Sequence, residues 1–515
     1  MRPALLLLLL LGCGTVPAGP APAPVAAPAP TTTTTKRALH VLLTADEHGW
    51  LLPLKDDKGA HGGAIALFDR LTRVEGYAPG AVARKDGWVL MSAGDMWTGP
   101  YESVVLEGAP MVAAMSRMGY AAAAVGNHEF DFGVRTIAER AKTATFPFLA
   151  ANLVESANGN VPAWAKPFTI VDVGGMKLGI VGLTNIDSKV TADPRHMTGL
   201  EFLPYASTLE SWVPRARAAG AEEIVVLLHE ALSSAPELMP VFRKLRVRAV
   251  AFGHHHVQGS AIDDNNTPDL DDDVVVCNSG AYMRSYCRID LAFEGPRMTA
   301  HDVVIKPVET PVGEVVAGDA QLTAIVSAAE QSANQIGGEV LVENTKLLKR
   351  GADGPLGQLV VDAWLAALPY AQVAITNAGG LRQDLPPGPV RVRDVVSVLP
   401  FNNYLLVVDL TGAQLKEVLL MPESVVSGVR YSTKAGAVAA VVDSQGNPIG
   451  DDAKLKVVIN DFMYRGGDRY RFQSWDTEPE ETAIDWREPV LRMLREMGKA
   501  NKKLDVTVDD RKKTL

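Results

Sequence analysis

The sequence predicts an α/β protein of two domains, and three observations carry that prediction. The chain has 515 residues, well beyond one ordinary domain. From Leu39 to about Lys306, short apolar runs alternate with amphipathic stretches, the pattern of layered sheet and helix. A second such stretch runs from about residue 344 to the end, after a helix-like segment at 318–337. Composition agrees: 47% hydrophobic and 21% charged residues exclude a mainly disordered or collagen-like chain. Lys plus Arg number 50 against 60 for Asp plus Glu, a formal net charge of -10, which speaks against a general nucleic-acid binder. A small anionic molecule stays open, because local cations rather than the total charge attract it.

The first element is an export signal. Arg2 precedes the unbroken run Leu5 to Leu11, too short to span a bilayer as a mature helix. Leu10-Leu11-Gly12-Cys13 resembles a bacterial lipobox, in which Cys13 is acylated and becomes the first mature residue; an ordinary secretory signal cleaved further on is the alternative. Residues 1–12 are then a signal peptide. Residues 13–35, rich in Pro and Ala and ending in Thr31 to Thr35, are a semi-extended tether. The expected location is outside the cytoplasm, anchored to a membrane on its periplasmic or cell-surface face. With Cys13 lipidated, Cys277 and Cys287 remain. Export permits them to bridge, and two buried free thiols are the other reading.

The folded part reads in order. Strands are expected at Leu39–Thr44, Trp88–Ser92, Ala121–Val125, Lys177–Leu183, Glu223–Leu228 and Arg248–Phe252. Helices are expected at Gly63–Val74, Pro110–Met118, Val134–Ala141 and Ala206–Ala218. The second domain has a helix near Leu356–Ala367, a strand near Gln372–Thr376 and a strand-helix pair from Tyr404 to Leu420. The charged run Asp509 to Lys513 is expected to fray.

The chemistry sits just beyond apolar runs. Val41 to Ala45 leads to Asp46-Glu47-His48, Val89 to Ala93 to Gly94-Asp95, and Ala124-Val125 to Gly126-Asn127-His128-Glu129. Ile224 to Leu228 leads to His229, and Val250 to Phe252 leads to Gly253-His254-His255-His256. Ligands in α/β sheets bind at the carboxyl ends of strands, so five such ends can share one metal cleft. Carboxylate, amide oxygen and imidazole nitrogen suit Zn, Mn, Fe or Co better than Ca or Mg. Asp46 and His48 are two apart, as are His254 and His256, so an extended segment turns each pair to one side and points His255 away.

The ordered set Asp-x-His, Gly-Asp, Gly-Asn-His-Glu, His and Gly-His-x-His resembles the calcineurin-like binuclear metallophosphoesterases. The longer string Gly126-Asn127-His128-Glu129-Phe130-Asp131-Phe132-Gly133 narrows the resemblance to the 5′-nucleotidase family, over about residues 38 to 480. It implies a four-layer α/β-β/α metallophosphoesterase domain at 36–310, a linker helix at 311–343 and a smaller α/β specificity domain at 344–515. It implies two divalent metal ions. One is held by Asp46, His48, Asp95 and His256, the other by Asp95, Asn127, His229 and His254, with Asp95 bridging. Many nucleotidases carry Gln at the place of His256. By the same resemblance His128 and Asp131 form a catalytic dyad, and a metal-bound hydroxide attacks phosphorus in line.

The specificity domain resembles the family through Lys349-Arg350, Thr376-Asn377-Ala378-Gly379-Gly380-Leu381-Arg382, Val398 to Asn403, and Asn460 through Gly466-Gly467-Asp468-Arg469-Tyr470. Arg350 and Arg382 are the implied anion contacts, their guanidinium forks suited to phosphate oxygens. Asn377, Gly379 and Gly380 form the substrate loop, and Tyr470 is one base-stacking ring. The second ring is missing after the helix at about Thr411–Leu420, where Phe462 or Tyr464 could compensate, and Arg469 replaces a glycine. The expected function is release of phosphate from nucleotides, nucleoside 5′-monophosphates first. UDP-sugars, 2′,3′-cyclic nucleotides or a non-nucleotide ester on the same scaffold are alternatives, and an inactive surface binding protein is the reading from another class. The expected partners are this small molecule and the membrane reached through Cys13, with no nucleic-acid polymer and no obligate protein. If the family's domain rotation holds, the segment at 318–337 is its hinge.

Overall fold

The computed structural model describes residues 35–56, 58–80 and 84–514. The expected signal peptide, the lipidation site Cys13 and the tether up to Thr34 lie outside the described residues. No helix among the described residues is long and apolar enough to cross a membrane.

Two six-stranded sheets form the centre of the first domain. In the first, Lys36–Thr44 pairs in parallel with Trp88–Ser92 and antiparallel with Ser285–Glu294. The short strands Ala122–Ala124 and Phe148–Leu149 extend one side, and Arg297–Pro307 closes the other. In the second, Glu223–Leu228 lies between Met176–Leu183 and Val247–Phe252, parallel to both.

Alternation along these strands explains the layering. Leu39, Val41 and Leu43 join Val225, Leu227, Ala249 and Ala251 in one core between the two sheets. Leu42 and Leu90 face the other way, into a core with the helix Ala109–Met118. Ile224, Val226 and Leu228 pack against the helices Tyr205–Ala218 and Ala235–Lys244. Each central strand is therefore buried on both faces, which is why it reads as a continuous apolar run. The order helix, sheet, sheet, helix is the four-layer arrangement expected from the sequence.

Cys277 and Cys287 form a disulfide across a Cα–Cα distance of 6.4 Å. Cys277 lies on Val274–Asn278 of the second sheet and Cys287 on Ser285–Glu294 of the first. The bridge thus ties the two sheets together inside their shared core, which answers the question the cysteine count left open.

The helix Ala320–Gly337 is capped by Asp319, whose carboxylate accepts the Leu322 N–H at 2.9 Å. Leu322, Val326 and Ala329 are buried in the first domain's core. Only Gly338 and Glu339 separate this helix from Val340–Asn344, which pairs with Gly388–Arg391 in the second domain. That domain has a five-stranded mixed sheet in the order Ser424–Ser427, Val373–Asn377, Lys454–Asn460, Tyr404–Thr411 and Glu480–Asp485. Its helix Pro355–Ala367 buries Trp364 against Trp486.

The charged C-terminal run does not fray. Lys512–Thr514 pairs in parallel with Val429–Lys434. Arg511 donates to Asp362 Oδ2 at 2.7 Å and to Val426 O at 2.8 Å. The sequence displays these charges but not the carboxylate that receives them, 149 residues away.

Candidate metal centre and substrate cavity

The chemically active side chains gather where the carboxyl ends of the two sheets meet. Asp46, Asp95 and Asn127 follow strands of the first sheet, and His229, His254 and His256 follow strands of the second. Asp46, His48 and His256 bring ligand atoms within 4.8 Å of one another, as do Asp95, His229 and His254. A third, overlapping group joins His48 and Asp95 to His128. Asn127 completes the set, with Oδ1 2.9 Å from His254 Nδ1 and 3.2 Å from His229 Nε2.

The pairs two residues apart converge by a different route from the extended one the spacing suggests. Asp46, His48, Asp95, His254 and His256 have φ values of +53°, +45°, +58°, +71° and +56°. This is the left-handed region, uncommon for residues with a Cβ and tolerated best by Asn, Asp and His. Tight turns at the strand ends, rather than strand alternation, aim these side chains. His255, expected to point away, is exposed and lines the cavity below.

Outer hydrogen bonds set the rings. His48 Nδ1–H donates to Thr98 O at 2.9 Å and His229 Nδ1–H to Ala93 O at 2.9 Å, which leaves both Nε2 atoms facing inward. Glu129, given no role by the sequence reading, accepts the N–H groups of Asp95 at 3.0 Å, Met96 at 2.8 Å and Gly126, and so ties together the loops that carry Asp95 and Asn127. Burial pushes its carboxyl up to about 8.

The residues fit divalent cations. Asp95 Oδ2 is buried without a well-formed hydrogen bond, with His229 Nε2 its near neighbour at 3.1 Å. Burial drives the His254 imidazole down to about 3 and His256 down to about 2, and it also lowers His48, so these rings present lone pairs. Burial also pushes the Asp46 carboxyl well up. Burial opposes a charged His229 as well, but Asp95 and Asp46 outweigh it and pull that ring up to about 10. A buried cluster of carboxylates and imidazoles recruits positive charge, and a metal supplies it without a proton.

His128 Nδ1 lies 2.8 Å from Asp131 Oδ2, and the His128 N–H donates to Asp95 Oδ1 at 2.8 Å. The Phe401 ring of the second domain stacks on His128 at 5.5 Å and 17°. Arg382 lies over the same ring, with Nη2 3.4 Å from His48 Nε2. A cavity of about 350 Å³ opens here, lined by Asn127, His128, Asp131, His254 and His256 from the first domain. Asn377, Gly379, Gly380, Arg382, Phe401 and Phe462 line it from the second. Asn377 Nδ2 donates to Asp468 Oδ2 at 2.7 Å, and Asn377 Oδ1 accepts from Asn460 Nδ2 at 3.1 Å.

Two expected substrate residues lie elsewhere. Arg350 is exposed, and its Nη1 donates to Leu381 O at 3.2 Å, so it braces the loop that carries Arg382 rather than lining the cavity. Tyr470 is buried, stacked on Phe472 at 5.6 Å, with its hydroxyl 2.9 Å from Ser424 Oγ. The aromatic residues that line the cavity are Phe401, Phe462 and Trp486. Phe401 could have been found from the run Leu399-Pro400-Phe401-Asn402-Asn403 that closes the helix Val392–Val398.

Side chains able to hold metal at the carboxyl edge of a four-layer α/β-β/α domain, faced by an arginine from a second domain, are the arrangement of a metallophosphoesterase with an appended C-terminal domain. Comparison with known proteins agrees. Residues 39–258 match the calcineurin-like phosphoesterase family, and residues 332–474 match the 5′-nucleotidase C-terminal domain. A 5′-nucleotidase of Vibrio cholerae is 24% identical over 84% of this chain and 85% of its own length. A cell wall protein of Listeria monocytogenes is 27% identical over 92% of this chain and 69% of its own. The crystal structure of a 5′-nucleotidase precursor from Thermus thermophilus superposes with a TM-score of 0.78 at 25% identity, covering 93% of this chain and 99% of that one. The chain belongs to the 5′-nucleotidase family of calcineurin-like phosphoesterases.

Proposed function

We propose that this chain is an exported phosphohydrolase that releases phosphate from nucleotides, nucleoside 5′-monophosphates first. The observation that carries the reading is the placement of Arg382, 3.4 Å from His48 Nε2 in the ligand cluster and on the cavity wall with Asn377 and Phe462. One wall suits a phosphate among cations, and the other suits a planar, hydrogen-bonding base.

In this reading Asp46, His48, Asp95 and His256 hold one ion, and Asp95, Asn127, His229 and His254 hold the other. Two divalent ions there supply Lewis acidity toward phosphoryl oxygens and ready acidification of water. Arg382 grips a phosphate oxygen and fixes the phosphorus relative to the cluster. Asp131 holds His128 by Nδ1 and so turns Nε2 toward the leaving oxygen or the charge on the transferring group. Phe401 packs on His128 and excludes water from that face. Phe462 offers the stacking face that Tyr470, turned into the core, does not.

Export is supported by the leucine run before Cys13 and by the Cys277–Cys287 bridge, a bond typical of oxidising compartments. Acylation of Cys13 makes the protein a tethered lipoprotein in this reading.

A substrate panel on residues 36–515, stripped of metal and reloaded with Mn or Zn, tests the proposal. It compares nucleoside monophosphates, cyclic nucleotides, UDP-sugars and simple sugar phosphates. The expected result is metal-dependent release of phosphate, fastest from a nucleoside monophosphate. No hydrolysis of any phosphoester after reloading would overturn it.

A further inference from the structure

Each histidine that ligates a cation needs its outer nitrogen fixed so that the inner one keeps its lone pair. Backbone carbonyls do this for His48 and His229. His256 is held differently. Its Nε2 points inward, 2.9 Å from His48 Nε2 and 3.5 Å from Asp46 Oδ1, while its Nδ1 lies 3.3 Å from the Tyr282 hydroxyl. The His256 side chain is also 26% exposed, against 1% and 0% for those of His48 and His229. It therefore depends more on a side-chain partner than the sealed rings do.

Tyr282 is itself firmly placed. Its N–H donates to Asp46 O at 2.8 Å. Its ring packs edge-on against His256 at 5.3 Å and tilted against Trp50 at 5.2 Å. Tyr282 and Met283 both occupy the left-handed region, at φ +65° and +54°, an arrangement that persists only where the surroundings enforce it. Here the Cys277–Cys287 bridge closes the loop that contains them. Asn278 Nδ2 donates to Gly253 O at 3.3 Å and Gln258 Nε2 to Ser285 Oγ at 2.7 Å. These bonds tie the loop to the segment that carries His254 and His256.

We propose that Tyr282 is a positioning residue for the metal centre. Its hydroxyl accepts a hydrogen bond from His256 Nδ1–H and so holds Nε2 toward the cation, and the disulfide-closed loop keeps that hydroxyl in place. The proposal rests on the reading of Asp46, His48, Asp95 and His256 as the ligands of one ion.

The test measures Mn²⁺ and Co²⁺ binding by calorimetry and chelator competition on metal-free residues 36–515, with Tyr282→Phe and His256→Gln alone and combined. Wild type is expected to take up two ions. Tyr282→Phe keeps the ring and loses only the hydroxyl. It should weaken one ion about tenfold or more, alter the cobalt absorption of that site, and leave the melting temperature of the metal-free protein unchanged. In the His256→Gln background the same change should cost nothing further, because the two residues act as one unit. Wild-type affinity for both ions with an unchanged cobalt spectrum, or additive losses in the double variant, would overturn the role of Tyr282. A wild-type chain that binds no ion would instead overturn the metal reading on which it stands.

Discussion

Replacing Gly126 by alanine should disable the centre through one methyl group. Gly126 lies between the apolar strand end and Asn127, and its φ is outside the left-handed region. The obstacle is Asp95. A Cβ on Gly126 would sit 2.6 Å from the Asp95 amide nitrogen and 2.8 Å from its Cγ, and closer still to Oδ1. Ordinary contact begins at 3.4 Å, so the carboxylate carbon must retreat by about 0.6 Å and its oxygen by more. Both atoms are committed, Oδ1 to the His128 N–H and the amide to Glu129. The retreat therefore displaces the carboxylate and loosens His128 together. Misplacement on the order of 1 Å in a positioned site costs roughly a hundredfold in rate. Gly379 supplies the control, because a Cβ there would meet nothing nearer than 3.8 Å although the residue lines the same cavity. The assay is kcat/KM for a nucleoside monophosphate at saturating metal, with bound metal counted in parallel. Gly126→Ala should fall by about a hundredfold or more and Gly379→Ala by no more than a few-fold. Gly126→Ala within a few-fold of wild type would refute the claim that this contact sets the geometry of Asp95.

Three other outcomes follow from the same structure. His128→Ala should cut turnover by on the order of a hundredfold or more while both ions stay bound, since the lost group handles a proton rather than a metal; unchanged turnover would remove His128 from the chemistry. Serine at both Cys277 and Cys287 should destabilise the first domain by about 3 kcal/mol, from the chain entropy of a short closed loop, read as a lower urea midpoint. A midpoint equal to that of the oxidised wild type would show that the bridge adds no stability. Burial works to raise Glu75, but hydrogen bonds from Lys306, Tyr286 and Arg288 outweigh it and hold its carboxyl below the usual range. Its stabilising contribution should be complete above the ordinary glutamate value of about 4.3 and disappear as pH falls through the depressed native value. The difference in melting temperature between wild type and Glu75→Gln should therefore be full near neutrality and shrink in acid, and a difference that ignores pH would contradict the sign.

The central strands were readable because they are buried on both faces. Glu223–Leu228 and Trp88–Ser92 stop where the sequence says they should, since an apolar run ends sharply at a strand's carboxyl edge. The residues just beyond those ends are the ones the fold brings together. How they converge was not readable. Nothing in the sequence marks Asp46 or His48 as left-handed, so strand alternation was the natural inference and tight turns were the outcome. The second domain was legible as elements and less so as a surface. Tyr470 and Phe462 are both aromatic residues in one short segment, and only packing against Phe472 and Ser424 sends Tyr470 inward while Phe462 lines the cavity. Tyr282 carried no signal at all, because it lies in the loop between Val274–Asn278 and Ser285–Glu294, 26 residues from His256, and the pairing exists only once the chain has folded.

The left-handed turns restrict what could replace the proposed ligands. Aspartate, asparagine and histidine are the residue types with a Cβ that tolerate that backbone best, and they are also types that a transition metal accepts. At Asp46, His48, Asp95, His254 and His256 a single choice satisfies both demands. Cysteine is a good zinc ligand but has no such affinity for the turn. Re-engineering this centre toward thiolate coordination would thus meet resistance from the main chain before any question of metal preference arose.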